Sequence, residues 1–378
     1  MPSHCVPWLV SLSPRRPARA WTETTLYSFC SQGGGYCTDG LEPQRNKLVF
    51  DSAGNIYGTA SSGGANGAGD VFKLAPDGNL TVLLSFPDPF GGGAPIGGVV
   101  IDDANYLYGT AQSHIFKLAP DGTVTLVHQF TGENGDGSQL FAGLLRDKKG
   151  NLYGTTFAGG TYGFGTLFKI GPNGKEHILH SFAGPEGANP QAAPIMDVAG
   201  SLYGTTVNGG SNNCGGYGCG TVYKLAKDGT FIVLYAFTGG SDGEGPGEGL
   251  AIDRAGNLYG TTMWGGKNNS CGTVFKIAAD GTKSTLHTFL DVDDGCDPVS
   301  QPVLDKGGNL YGTTRRGGTR ANGTVFKISH FGAGCAWHPI WCKSLGRHER
   351  PWHGVQAIEI SGPIDESNSG YEFPKSRC

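Results

Sequence analysis

Three sets of side chains in this sequence have the type and spacing to do chemistry. Six lysines, Lys73, Lys117, Lys169, Lys224, Lys276 and Lys327, each follow a Phe or Tyr directly. At one register they could ring an anionic ligand, or each could pair with an aspartate of its own segment: Asp51, Asp102, Asp147, Asp197, Asp253 or Asp305. A feature present in every segment ordinarily serves that segment, which favours the pairing. Three histidines, His128, His180 and His287, each stand two residues before a Phe. Imidazoles can move protons or hold metals, but Tyr27, Leu84 and Tyr235 fill the same slot elsewhere, so it reads as a packing position. The acids Asp291, Asp293 and Asp294 suggest calcium. The downstream Glu that completes an EF-type loop is missing, so an irregular calcium site and a hydrated acidic loop both fit.

A fourth set could bind rather than react. Tyr162, Phe164, Tyr217 and Trp264 lie in Gly-rich stretches with Arg315 and Arg316, and Glu133, Glu186 and Glu244 lie in similar stretches. Aromatic rings beside polar backbone can stack on sugars, or can pack loop on loop; both readings stand. No cofactor is expected. Cys335, His338, Cys342 and His348 match no common zinc spacing, and the segment 330–378 reads as a poorly ordered tail without a repeat.

The elements that must position these residues repeat. Tyr-Gly-Thr begins at Tyr57, Tyr108, Tyr153, Tyr203, Tyr259 and Tyr311, a period of about 50 residues. Each unit holds four short runs rich in Val, Ile, Tyr, Phe and Thr, and none shows a helical period, so the chain reads as all-β. Tight turns alternate with long loops. Asp-x-x-Gly-Asn or a variant joins the first two runs, and Asp-Gly or Asn-Gly the last two. Four antiparallel strands per unit, six times over, predict a six-bladed β-propeller over 22–329. Both tight turns then fall at one end and both long loops at the other, where binding residues usually sit. Blade two has a short loop at Ala111 to His114, which predicts a notch on that face. The Gly within each Tyr-Gly-Thr predicts close approach of a ring or backbone. Only five terminal-Phe strands follow the six Phe/Tyr-Lys strands. The sixth, Thr24 to Phe29, stands at the front, so the N-terminal strand is expected to complete the last blade beside Val325 to Ile328.

The run Asp-x-x-Gly-Asn-Leu-Tyr-Gly-Thr-Thr, Gly-Gly, Gly-Thr-Val-Phe-Lys-Ile, Asp-Gly-Thr, Leu-x-x-Phe resembles the GloVer repeat of the choice-of-anchor tandem-repeat proteins, across about residues 22 to 329. The resemblance implies a bacterial exported or cell-surface protein. It carries no family catalytic residues onto this chain.

Composition narrows the rest. A net charge of −4 without a basic stripe argues against nucleic acid. No apolar run reaches the length of a membrane span. Ten cysteines point to an oxidising compartment. Their placement in loops predicts Cys214–Cys219, Cys30–Cys37 and Cys271–Cys296 bridges rather than a zinc site. Residues 1–21 read as a possible remnant of an export signal, with Pro17-Ala18-Arg19-Ala20 resembling a cleavage site, although Arg15 and Arg16 follow the apolar run Val6 to Leu12 rather than precede it. The reading is an exported, monomeric, non-catalytic propeller that binds a glycan, peptide or surface partner. The alternative is a propeller enzyme acting on polysaccharide, or a metal-dependent lactonase or hydrolase.

Overall fold

The structure is a computed structural model. It describes residues 26–31, 37–43, 47–87, 93–211, 213–267, 271–290, 294–318 and 323–329, and the strand backbone of 355–358. The fold is a six-bladed β-propeller: six small antiparallel sheets in a ring, almost without helix among the described residues. Blade three is typical. Leu145–Arg146 pairs with Leu152–Thr156, which pairs with Thr166–Ile170, which pairs with Glu176–Ser181. In blade two, Leu107–Ala111 turns directly into His114–Leu118, so a tight turn stands where the other blades carry a long loop.

Local chemistry explains the tight-turn end. Asp147 Oδ1 accepts the backbone N–H groups of Lys149 and Asn151, at 2.9 Å each. Its Oδ2 accepts Asn151 Nδ2 and the Tyr153 hydroxyl. The same Tyr-to-Asp bond joins Tyr57 to Asp51, Tyr108 to Asp102, Tyr203 to Asp197, Tyr259 to Asp253 and Tyr311 to Asp305. The donors lower the Asp51 carboxyl to about 2, the Asn55 amide most of all. The Lys224 charge helps lower its segment's carboxyl, Asp197. Lys169, Lys224, Lys276 and Lys327 also lie 5.3 to 6.0 Å above the rings of Tyr153, Tyr203, Tyr259 and Tyr311.

Packing between blades is aromatic. The ring ending each outer strand meets the third-strand ring of the next blade: Phe86 on Phe116, Phe130 on Phe168, Phe182 on Tyr223, Phe237 on Phe275 and Phe289 on Phe326, with centroids 4.9 to 5.6 Å apart. The Tyr-Gly-Thr glycine makes room for that ring. A Cβ on Gly154 would lie 2.5 Å from Phe168 Cζ, and one on Gly260 would lie 2.4 Å from Phe275 Cζ.

Closure departs in part from expectation. Residues 24 and 25 lie outside the described residues, and Leu26 to Phe29 form no strand. The edge of Thr324–Ile328 is taken by Val355–Ile358, with Val325 opposite Ile358. So part of the segment expected to be a poorly ordered tail supplies the outer strand of blade six. An unpaired strand edge accepts any extended chain within reach, because the ladder bonds are backbone bonds. The N-terminal segment still supplies the aromatic contact of that position. Phe29 packs on Phe72 at 5.1 Å, as every terminal Phe does on the next blade, and Leu26 O lies 3.8 Å from where a Cβ on Gly78 would be.

Candidate functional site

The long loops are ordered by pairing with one another. Ala158–Gly159 pairs with Gly137–Ser138, Ala188 bridges Asn208, Glu244 bridges Trp264, and Cys296–Pro298 pairs with the end of Leu310–Arg316. Each ribbon joins the loop arriving at a blade to the loop that leaves its second strand. All three expected disulfides are present. Cys30–Cys37, Cys214–Cys219 and Cys271–Cys296 have Cα separations of 4.5, 5.4 and 4.4 Å. Cys214–Cys219 closes a six-residue loop around Tyr217, which limits the conformations that side chain's backbone can reach.

Between blades three and four these loops bound a groove of about 300 Å³. Phe164 and Tyr217 line it, with Asn189, Asn208, Pro185 and Ser211. Both rings are exposed, Tyr217 by 78% and Phe164 by 42%. Two lining amides are held in place. Asn208 Nδ2 donates to Asn189 Oδ1 at 3.0 Å, and Asn189 Nδ2 donates to Phe157 O at 2.9 Å. The lining backbones approach closely at Gly209, where a Cβ would lie 2.3 Å from Gly184 O.

The other residues singled out from sequence do not line this groove. Tyr162 is exposed on the same loop as Phe164, but is absent from the groove lining. Trp264, also half exposed, stands one blade further on, its ring 2.9 Å from where a Cβ on Gly245 would be. Arg316 is held by Asp297, Nε to Oδ2 at 2.8 Å and Nη2 to Oδ1 at 3.2 Å, while Arg315 is exposed beside it. Asp291 and Asp293 lie outside the described residues. Asp294 is engaged: it accepts the Leu290 N–H and lies 2.9 Å from His287 Nε2.

That last contact is one of a series that residue spacing did not reveal. In four blades the slot two before the terminal Phe reaches an acid of the following long loop: Tyr27 to Asp39, His180 to Glu186, Tyr235 to Asp242 and His287 to Asp294, all within 2.8 to 2.9 Å. So the slot packs, as expected, and also staples the loop. The acid follows its slot residue by 12, 6, 7 and 7 positions, so no single spacing marks the pairing. Burial is the larger influence on His180, drawing it below the usual imidazole range against the pull of Glu186. Its ring lies flat on Phe231 at 3.8 Å. A second cavity, of about 530 Å³, opens at the tight-turn end, lined by Lys117, Arg146, Lys148 and Lys149.

Comparison with known proteins fits this architecture. The Gloeobacter/Verrucomicrobia repeat model matches residues 17–217 and 215–337, and the chain belongs to that family. No curated protein matches it. Among solved structures, the virginiamycin B lyase from Staphylococcus aureus is similar at 13% identity and a TM-score of 0.51, over 75% of this chain and 80% of that one. A putative 6-phosphogluconolactonase from Bacteroides uniformis is similar at 18% identity and a TM-score of 0.49, over 76% and 81% of the two chains. The gluconolactonase XC5397 from Xanthomonas campestris gives 18% identity and a TM-score of 0.39, over 60% and 69%. At such identities the likeness to the lyase speaks for the fold alone.

Proposed function

We propose that this protein is an exported, non-catalytic propeller that binds carbohydrate on its long-loop face, at the groove between blades three and four. The observation that carries the reading is the pair of exposed rings, Phe164 and Tyr217, over amides already fixed by Asn189 and Asn208. Sugar rings present apolar faces and hydroxyl edges, which such a surface complements: rings stack on the faces, while amides and free backbone groups meet the edges. Three disulfides support an oxidising, extracellular setting. No helix among the described residues is long and apolar enough to cross a membrane.

The test is a glycan and peptidoglycan binding screen on the purified chain. Tyr217→Ala and Phe164→Ala are each expected to weaken binding at least tenfold, about 1.4 kcal/mol, with circular dichroism unchanged. Trp264→Ala, one blade away, is expected to weaken it less. Binding that survives both groove substitutions would overturn the assignment of the site. A hydrolytic propeller would be expected to gather acids or histidines around the axis. The His-and-carboxylate group found among the described residues lies instead on outer strands and a loop, which supports the binding reading.

A further inference from the structure

Where blades two and three meet, the chain departs from its own pattern. In blade four the slot residue Tyr235 reaches Asp242, and the first residue of the next outer strand, Lys283, closes over them. Its Nζ lies 2.7 Å from Asp242 Oδ1 and 5.6 Å from the Tyr235 ring centroid. In blade three the covering residue is Phe231, flat on His180. In blade two the slot holds His128, the loop acid is Asp136, and the covering residue is Glu176, a second carboxylate where blade five supplies a cation.

The consequence is a half-buried cluster whose inward atoms are unsatisfied. His128 Nε2, Asp136 Oδ1 and Glu176 Oε1 are each shielded from solvent and have no hydrogen-bond partner. One potential ligand atom from each residue lies within 4.8 Å of the others, and His128 Nε2 is 3.4 Å from Glu176 Oε2. The other oxygen of Asp136 is occupied, accepting the N–H and hydroxyl of Thr131, which fixes the carboxylate in place. Two carboxylates this close repel, and each orphaned buried atom is costly.

We propose that His128, Asp136 and Glu176 bind a divalent cation of the zinc class, clamping the loop after blade two to the outer strand of blade three. One imidazole and two carboxylates suit zinc, and the imidazole disfavours calcium and magnesium, which prefer oxygen. Ligand atoms of a tetrahedral zinc site stand about 3.5 Å apart, so small side-chain rotations complete the set and water fills the remaining position. The side chains of His128 and Glu176 keep 21% and 15% exposure, which leaves the ion a way in. This site is separate from the groove between blades three and four, and neither reading needs the other.

The test uses the full chain, stripped with chelator and titrated with ZnCl2 and, separately, CaCl2 by calorimetry, with bound metal counted after dialysis. The chain carries other cysteines and histidines, so the readout is the difference between variants. Glu176→Lys transplants the blade-five arrangement, giving Asp136 an ammonium partner, and is expected to keep the fold and to lose one zinc ion per chain. His128→Gln is expected to weaken that same ion at least tenfold. Zinc is expected to raise Tm in the parent and not in Glu176→Lys. Equal zinc binding by parent and Glu176→Lys would overturn the proposal. So would no zinc binding by the parent, and so would calcium binding more tightly than zinc.

Discussion

At the scale of single residues, two positions carry sharp expectations. Gly154 lies under Phe168, and a Cβ there would meet Phe168 Cζ at 2.5 Å and Leu144 Cδ2 at 3.1 Å. Gly154→Ala should cost about 1–3 kcal/mol by overpacking, read as a lower urea midpoint at unchanged slope. Asp70 is the other. In blades three to six two threonine hydroxyls meet at this level, as Thr156 and Thr166 do at 2.9 Å, whereas blade one has Ala60 and Asp70. Asp70 is fully buried with both oxygens unpartnered, and burial, aided by the charge of Asp39, raises its carboxyl to about 7. An acid raised above its unfolded value of 3.8 binds more protons folded than unfolded. Its contribution is therefore favourable below about pH 4 and is lost as pH rises to about 7. Asp70→Thr with Ala60→Thr should flatten that slope and raise stability at pH 8 by about 1–3 kcal/mol, measured by urea titration across pH.

At the scale of the element, the tight turn between first and second strands is the best-determined part of each blade. One aspartate satisfies two backbone N–H groups, an Asn amide and a Tyr hydroxyl, so it fixes the turn and ties it to the next strand. Asp147→Ala should cost about 1–3 kcal/mol, since it leaves several donors unpaired, and Tyr153→Phe about 1 kcal/mol. The double variant should cost less than the sum, because both remove the same bond, and a thermal-denaturation cycle would read that coupling. These turns were legible in sequence because Asp-x-x-Gly-Asn is a local device. A bulge recurs in the last strand pair of blades one to five, between Leu167 and Phe168 in blade three for example, and no local residue type marks it. It follows from twisting that strand while its terminal Phe reaches the next blade.

At the scale of the whole molecule, the question is what closes the ring. The aromatic contact comes from the front of the chain, Phe29 on Phe72, and the ladder on Thr324–Ile328 comes from Val355–Ile358. Phe29→Ala should cost about 2–3 kcal/mol, with amides of Asp70–Leu74 losing hydrogen-exchange protection before those of blades three to five. Truncation after Ser329 should remove protection from Val325 and Lys327. Protection that persists in the truncated chain would show that an N-terminal strand holds that edge. The long-loop face gathers the groove residues because pairing between successive loops brings sequence-distant segments together, as with Phe164 and Tyr217.

The sequence by itself determined the repeat, the strands, the tight turns, the blade count and the three disulfides. Most of these rest on chemistry local in the chain or on a motif repeated six times, and the Cys271–Cys296 bridge on two cysteines in long loops at one end of the ring. Only the tertiary structure decided which exposed rings share a groove, which acid each slot residue meets, and which segment occupies the last strand edge. Those outcomes depend on loops of unequal length and on backbone bonds that do not distinguish one extended segment from another, and neither leaves a fixed spacing in the sequence.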